Sequence, residues 1–278
     1  VRISPKIEQK LVQVVLYTFT STAIIILIFI LAVIFKNGIP QLSLEFLTRN
    51  PADMGREGGI LSTIVATIFL TFIALLVATP LGVGTAIYLT EYTVESRVTR
   101  IIRFGAECLA GIPSIIFGLF GFILFVNKLG FGWSILSGGL TLAFMVLPTI
   151  IRTSEEAIKA VPHAYRLVSF SLGSTRWQSV TRVVLPSALP GIVTGVILSI
   201  GRSIGETAVV IFTAGSALRM PTSLFSSSRT MAVHFYILAK EGVSMPKAYG
   251  TAAVLVISIL IINIVTYYLM EKYIRRKS

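Results

Sequence analysis

Six stretches of this chain stay apolar for long enough to cross a lipid bilayer, and no other feature constrains the fold as tightly. A bilayer's hydrocarbon core is about 30 Å thick, so a helix needs roughly 20 mostly apolar residues to cross it. The stretches lie at about residues 14–35, 60–89, 105–126, 133–151, 190–213 and 249–270. The first is too long for a signal-peptide core and lacks a small-x-small cleavage site, so it reads as a retained anchor. The second exceeds an upright crossing and carries Pro80, which predicts a tilt or kink. The third has Pro113 near its start, and the fourth ends near Pro148. The expected fold class is an all-α polytopic membrane protein with six transmembrane helices, in a single domain over residues 1–278.

Composition agrees. The chain is 54% hydrophobic and 13% charged, against about 25% charged in soluble domains. A net charge of +12 would point to nucleic acid in a soluble chain; here the excess cations belong in loops and set orientation. With the N-terminus inside, fifteen of the 24 lysines and arginines fall on the cytoplasmic side, among them Arg2, Arg276 and Lys277, and eight fall outside. Both termini are therefore expected in the cytoplasm, with no nucleic-acid partner. Cys108 is the only cysteine, so no internal disulfide forms. The chain has no phosphate-binding GxxxxGK[ST] run, no HExxH and no CxxC, and no nucleophile–base or metal-ligand set for an intramembrane enzyme. His163 and His234 are expected in solvated loops.

The run GRSIGETA at residues 201–208 puts charge inside the fifth stretch. A central arginine costs at least about 2.5–3.5 kcal/mol to insert, so Arg202 needs a reason. Glu206 follows four residues on, the spacing that would place both on one helix face. Gly191, Gly195, Ser199 and Thr213 extend that face, while Leu198, Ile200, Ile204 and Ile211 occupy others. Two readings stand: a buried ion pair that locks two helices, or an anion path. In the second, Arg202 offers its planar donors to an oxyanion such as phosphate, and Glu206 orients it and tempers its affinity. Gly201 and Gly205, beside the charges, suit close helix packing. At the start of the third stretch, Arg103 and Glu107 are spaced for an interfacial pair.

The longest inner loop, about residues 152–188, is not low-complexity. Pro162 is placed to start one helix, Gly173 to end it, and Ser174 or Thr175 to cap a second that runs to about Leu185, before Pro186. Phe170, Leu172 and Trp177 gather near the turn, which makes a docking knob for a cytoplasmic partner.

These residues resemble a known family. Gly173 followed by Leu185 and Pro186, in the loop before the penultimate span, is similar to the EAA loop of ABC importer permeases. More narrowly the chain resembles phosphate-specific transport permeases of the PstA type. The matches are GGI at 58–60, PLG at 80–82, IYLTEY at 87–92, IPSI at 112–115, GLF at 118–120, LPT at 147–149 with Arg152 and Glu155, and GRSIGETA at 201–208. The resemblance implies a type I ABC importer permease in the prokaryotic cytoplasmic (inner) membrane, embedded in lipid. It would pair with a related PstC-type permease, dock two copies of a cytoplasmic ATPase, and meet an extracytoplasmic phosphate-binding protein. It also implies that the chain is no enzyme and holds no cofactor, ATP and Mg being bound by the ATPase. By that analogy Arg166, Leu172, Gly173, Arg176 and Trp177 belong to the coupling segment, and Arg202 and Glu206 to the translocation path. Two departures stand out: Leu167, Val168 and Ser169 replace the Glu-Ala-Ala, and Val209 and Val210 replace a Pro-Leu. A permease for another oxyanion, or a secondary transporter driven by an ion gradient, are the alternatives; the latter favours broken helices in matching halves.

Overall fold

The computed structural model describes residues 5–94 and 96–275; Arg2, Arg276 and Lys277, counted above among the inner cations, lie outside them. Among the described residues, five helices are long and apolar enough to cross a membrane, and a pair bent by 103° makes six if it is counted as one span. In chain order these and the linking elements are α1 (Pro5–Gly38), α2 (Leu44–Thr48), a hairpin of β1 (Pro51–Ala52) and β2 (Glu57–Gly58), α3 (Leu61–Ile87), α4 (Arg97–Ala110) and α5 (Ser114–Gly121). Next come α6 (Ile135–Lys159), α7 (His163–Ser171), α8 (Arg176–Ser179), α9 (Leu185–Gly205), α10 (Ala208–Thr213), α11 (Met231–Lys240) and α12 (Met245–Arg275). Wide π turns prolong three of them: Tyr88–Tyr92 after α3, Phe122–Lys128 after α5, and Val180–Val184 between α8 and α9.

The core is α3 and α6 packed together, with α9, α10 and α5 against them. Leu70, Ile73, Leu142, Met145, Val146, Val209 and Val210 are buried in one cluster. Small residues let these backbones approach: a Cβ on Gly139 would lie 2.6 Å from Ile73 Cγ2, and one on Gly82 would lie 2.7 Å from Ile150 Cγ2. The Gly191–Gly195 half of the polar stripe has the same use. Gly191 faces Ala157 and Gly195 faces Thr153, both on α6. An exposed helical Gly→Ala change gains about 1 kcal/mol; Gly195→Ala is expected to lower the melting temperature instead, because its methyl overlaps Thr153 Oγ1. Thr153→Ala should restore part of the loss in the double variant, and melting curves of the three variants check this.

Prolines end fewer helices than the sequence implies. Pro148 lies inside α6, which continues to Lys159, and α8 runs through the π turn into α9 past Pro186 and Pro190, one helix from Arg176 to Gly205. The inner loop is thus shorter than residues 152–188: its first eight residues are the end of α6, and its second helix is the start of the next span. Hydroxyls bonded back to the preceding turn occupy carbonyls along these helices: Thr153 to Thr149 O, Ser187 to Val183 O and Thr194 to Pro190 O.

At the opposite end of the bundle from α7, the hairpin turn at Gly55 lies against His234 and Leu238 of α11, and Phe46 of α2 lies against Gly250 of α12. His234 is not in a solvated loop: it sits on α11, 1% exposed, and accepts a hydrogen bond at Nδ1 from Arg229 Nη1 at 3.4 Å. Burial, and then the cations Arg229 and Lys247, push its pKa down from 6.5 to about 4; Glu241 offsets part of the charge at Arg229. α11 is too short to be a span. The unfolded chain takes up a proton below pH 6.5 that the folded chain refuses until about pH 4. Stability is therefore full above 6.5, falls as pH drops by about 1.4 kcal/mol per unit, and levels off below about 4. The total is roughly 3 kcal/mol. His234→Gln should flatten this part of the profile, as read by melting temperatures at pH 7.5 and 4.5.

Candidate functional site

The charged run is where the fifth span breaks. α9 stops at Gly205, Glu206 takes an extended backbone (φ −75°, ψ 130°), and α10 starts at Ala208. The i,i+4 geometry expected of Arg202 and Glu206 needs an unbroken helix, so the pair does not form. The Glu206 carboxylate instead accepts from the backbone N–H groups of Ala208 (3.1 Å) and Val209 (3.4 Å), capping α10. Arg202 is exposed and has no ion-pair partner among the described residues. The polar stripe divides accordingly. Gly191, Gly195 and the buried Ser199 face inward, whereas a Cβ on Gly201 or Gly205 would meet nothing within 4 Å among the described residues, so neither glycine serves close packing there. Next to Arg202 the Ser203 hydroxyl is buried with no hydrogen-bond partner.

The third span is broken as well. α4 ends at Ala110, Gly111 to Pro113 turn the chain, and α5 leaves at 103° to α4, so residues 105–126 do not form one straight helix. The two breaks are joined by packing. A Cβ on Gly118 of α5 would meet Phe212 Cδ2 at 3.0 Å and Ala208 O at 3.1 Å, so α5 lies against the first turn of α10. Broken backbone at membrane depth exposes N–H and C=O groups, which is tolerated only inside protein or along a watery cavity. The arrangement provides two interrupted spans side by side with a free guanidinium at one of the interruptions.

The inner loop forms the second candidate feature. Pro162 caps α7, and Gly173 closes it with φ +80°, a conformation that a side chain resists. The Gly173 N–H donates to Phe170 O (2.9 Å) and the Ser174 N–H to Ser169 O (3.3 Å). Thr175, not Ser174, caps α8: its hydroxyl accepts from Gln178 N, and the Gln178 side chain takes the Thr175 N–H in return. Leu172 is 83% and Trp177 61% exposed, with Tyr165, Leu167, Val168 and Phe170 exposed nearby. Tyr165, Val168, Leu172 and Val183 line a shallow apolar groove. Arg182 lines it too, and Arg176 is exposed.

Arg166 differs from its neighbours by turning inward. Its Nε and Nη2 bond Glu91 Oε1 at 3.0 and 2.7 Å, Nη1 donates to Val161 O (2.7 Å), and Nη2 also reaches Ile158 O (3.0 Å). Sequence reasoning missed Glu91, which lies 75 residues away, although it sits in the IYLTEY run. Arg103 bonds Glu155 Oε1 at 2.8 Å across α4 and α6, the partner that the sequence spacing had assigned to Glu107. Lys159 Nζ shares that oxygen at 2.7 Å.

The family described as binding-protein-dependent transport system inner membrane component matches residues 78–278. Over 260 residues the chain is 36% identical to the probable ABC transporter permease protein YqgI of Bacillus subtilis, covering 88% of each chain. It is 35% identical over 210 residues to the phosphate transport system permease protein PstA 1 of Mycobacterium tuberculosis (strain CDC 1551 / Oshkosh), covering 74% of this chain and 69% of that one. Its fold matches a chain of the bacterial alginate ABC transporter crystallised with alginate pentasaccharide-bound periplasmic protein, with a TM-score of 0.65. That match covers 95% of this chain and 96% of the other at 17% identity, a likeness of fold.

Proposed function

This chain belongs to the inner membrane components of binding-protein-dependent transport systems, and on that premise we propose that it is the PstA-type permease subunit of an inorganic phosphate importer. The chain is a multi-pass bacterial inner-membrane permease of the type I ABC importer fold. It works with an ATPase and a periplasmic binding protein, and ATP hydrolysis belongs to the separate ATPase. In the proposed complex this chain pairs with a PstC-type permease, docks two copies of the ATPase through α7 and α8, and receives phosphate from a phosphate-binding protein.

The observation that carries the proposal is Arg202. A guanidinium without an ion-pair partner among the described residues, at the broken end of a span, is available to an anion. Phosphate near neutral pH carries between one and two negative charges, so Arg202 offsets part of the charge. A second cation from the related permease, across a pseudo-twofold axis, completes it. Glu206 is committed to α10, so it shapes the break and keeps a negative charge near the path, and this favours release over tight binding. ATP binding closes the ATPases, shifts α7 and α8, and opens the path outward; hydrolysis returns it inward. Resemblance of GRSIGETA to the phosphate permeases and the 35% identity to a phosphate permease support the substrate.

The test is uptake of labelled phosphate into ATP-loaded proteoliposomes that hold this chain with its companion permease and ATPase, with the binding protein outside and excess sulfate as competitor. ATP-dependent uptake that sulfate does not suppress is expected. ATP turnover without phosphate entry would discard the substrate and keep the family.

A further inference from the structure

We propose that the Glu91–Arg166 ion pair is the strut through which the inner loop moves the membrane helices, both side chains acting as positioning residues. The inference rests on the reading of α7 and α8 as the ATPase-docking loop. Around Arg166, much of the surface of α7 is exposed and apolar, suited to a partner, while the guanidinium turns into the body of the protein. It grips two elements at once: the carboxylate of Glu91, in the π turn that ends α3, and the carbonyls of Ile158 and Val161, at the end of α6. Both side chains are largely shielded from water (15% and 9% exposed), where a charge pair is held more firmly than on the surface.

The same π turn is held from another side. Arg103 of α4 donates from Nη2 to Leu89 O at 3.4 Å while its Nε holds Glu155 of α6. A displacement of α7 therefore passes through Arg166 into the ends of α3 and α6, and through Arg103 into α4. α4 ends at the Gly111 break, α5 follows it, and α5 lies against the start of α10, beside the Glu206 break. This chain of contacts connects the docking loop to the interrupted span that carries Arg202. A wide turn suits such a joint, because its loosened hydrogen bonding lets a helix end shift without unwinding the span.

The assembled complex in proteoliposomes tests it, with phosphate imported per ATP hydrolysed as the readout. Glu91→Gln is expected to keep wild-type amounts of bound ATPase while that ratio falls roughly tenfold. Arg166→Lys, which keeps the charge and loses the fork, should give an intermediate ratio. A wild-type ratio in Glu91→Gln would overturn the strut. So would loss of bound ATPase in step with transport in both variants, since the pair would then only hold the fold together. If the wild-type complex imports no phosphate, the substrate reading fails and the strut is judged on ATP turnover. There, a change of about fivefold in assembled Glu91→Gln complex upholds it, and equal turnover overturns it.

Discussion

Arg202→Gln is expected to abolish phosphate uptake while the complex still assembles. Assembly should survive because the packing of α9 does not use this side chain: its contacts with α6 run through Gly191, Gly195 and neighbouring buried residues such as Ile192 and Ile197. Among the described residues Arg202 makes no ion pair that the change would break. What disappears is the positive charge and the two-pronged donor set. Such a charge-assisted contact is worth about 3 kcal/mol, so uptake should fall roughly a hundredfold. Arg202→Lys separates charge from geometry; it should retain uptake between the two, because an ammonium is a point charge without the planar fork. Labelled-phosphate uptake, normalised to assembled complex, is the measurement. Uptake at the wild-type level in Arg202→Gln would remove the residue from the path. Loss of assembly in proportion to uptake would restore the reading in which Arg202 locks helices, with a partner on another subunit.

That prediction depends on a feature the sequence reveals only in part. Hydropathy located the crossings, because the bilayer imposes one requirement on all of them and a window average detects it. It could not show where a crossing changes direction. Gly111 and Pro113 were visible as breakers, yet nothing local says that α5 departs at 103°. The Arg202–Glu206 spacing gave a partner only on the assumption of continuous helix. Gly205, with no side chain, and Glu206, able to cap a new first turn, are the signals that oppose it. Pro148, Pro186 and Pro190 misled in the opposite sense: the helices continue past them, as membrane helices do where local π adjustments and neighbouring groups re-satisfy the backbone. The turn around Gly173 was legible to within a residue, with the cap left between Ser174 and Thr175, because capping and the left-handed closure are local chemistry. Glu91 and Glu155 were not legible as partners of Arg166 and Arg103: they lie 75 and 52 residues away, and only the packed helices bring them together.

Gly173→Asp is expected to remove the ATPase from the complex, or to leave it bound and hydrolysing without transport. Two effects combine there. The backbone sits at φ +80° with no atom near the missing Cβ, so the cost is conformational and not a clash. It amounts to about 1–2 kcal/mol for an ordinary L residue and less for aspartate or asparagine, whose short polar side chains reach this region. That strain loosens the closure of α7 and the angle at which α8 leaves it, and so moves Leu172 relative to Trp177, the two most exposed apolar groups of the turn. The second effect is charge: a carboxylate between those side chains must be desolvated when a partner covers them. Gly173→Asn isolates the first effect from the second, since asparagine tolerates the left-handed conformation and adds no charge. It should keep bound ATPase and most of the uptake, whereas Gly173→Asp should lose uptake altogether. Pull-down of the ATPase and transport assays on the same preparations decide between the forms of failure. Normal values of both for Gly173→Asp would mean that α7 and α8 are not the docking surface; the Glu91–Arg166 pair would then fasten a loop to the bundle with no motor behind it.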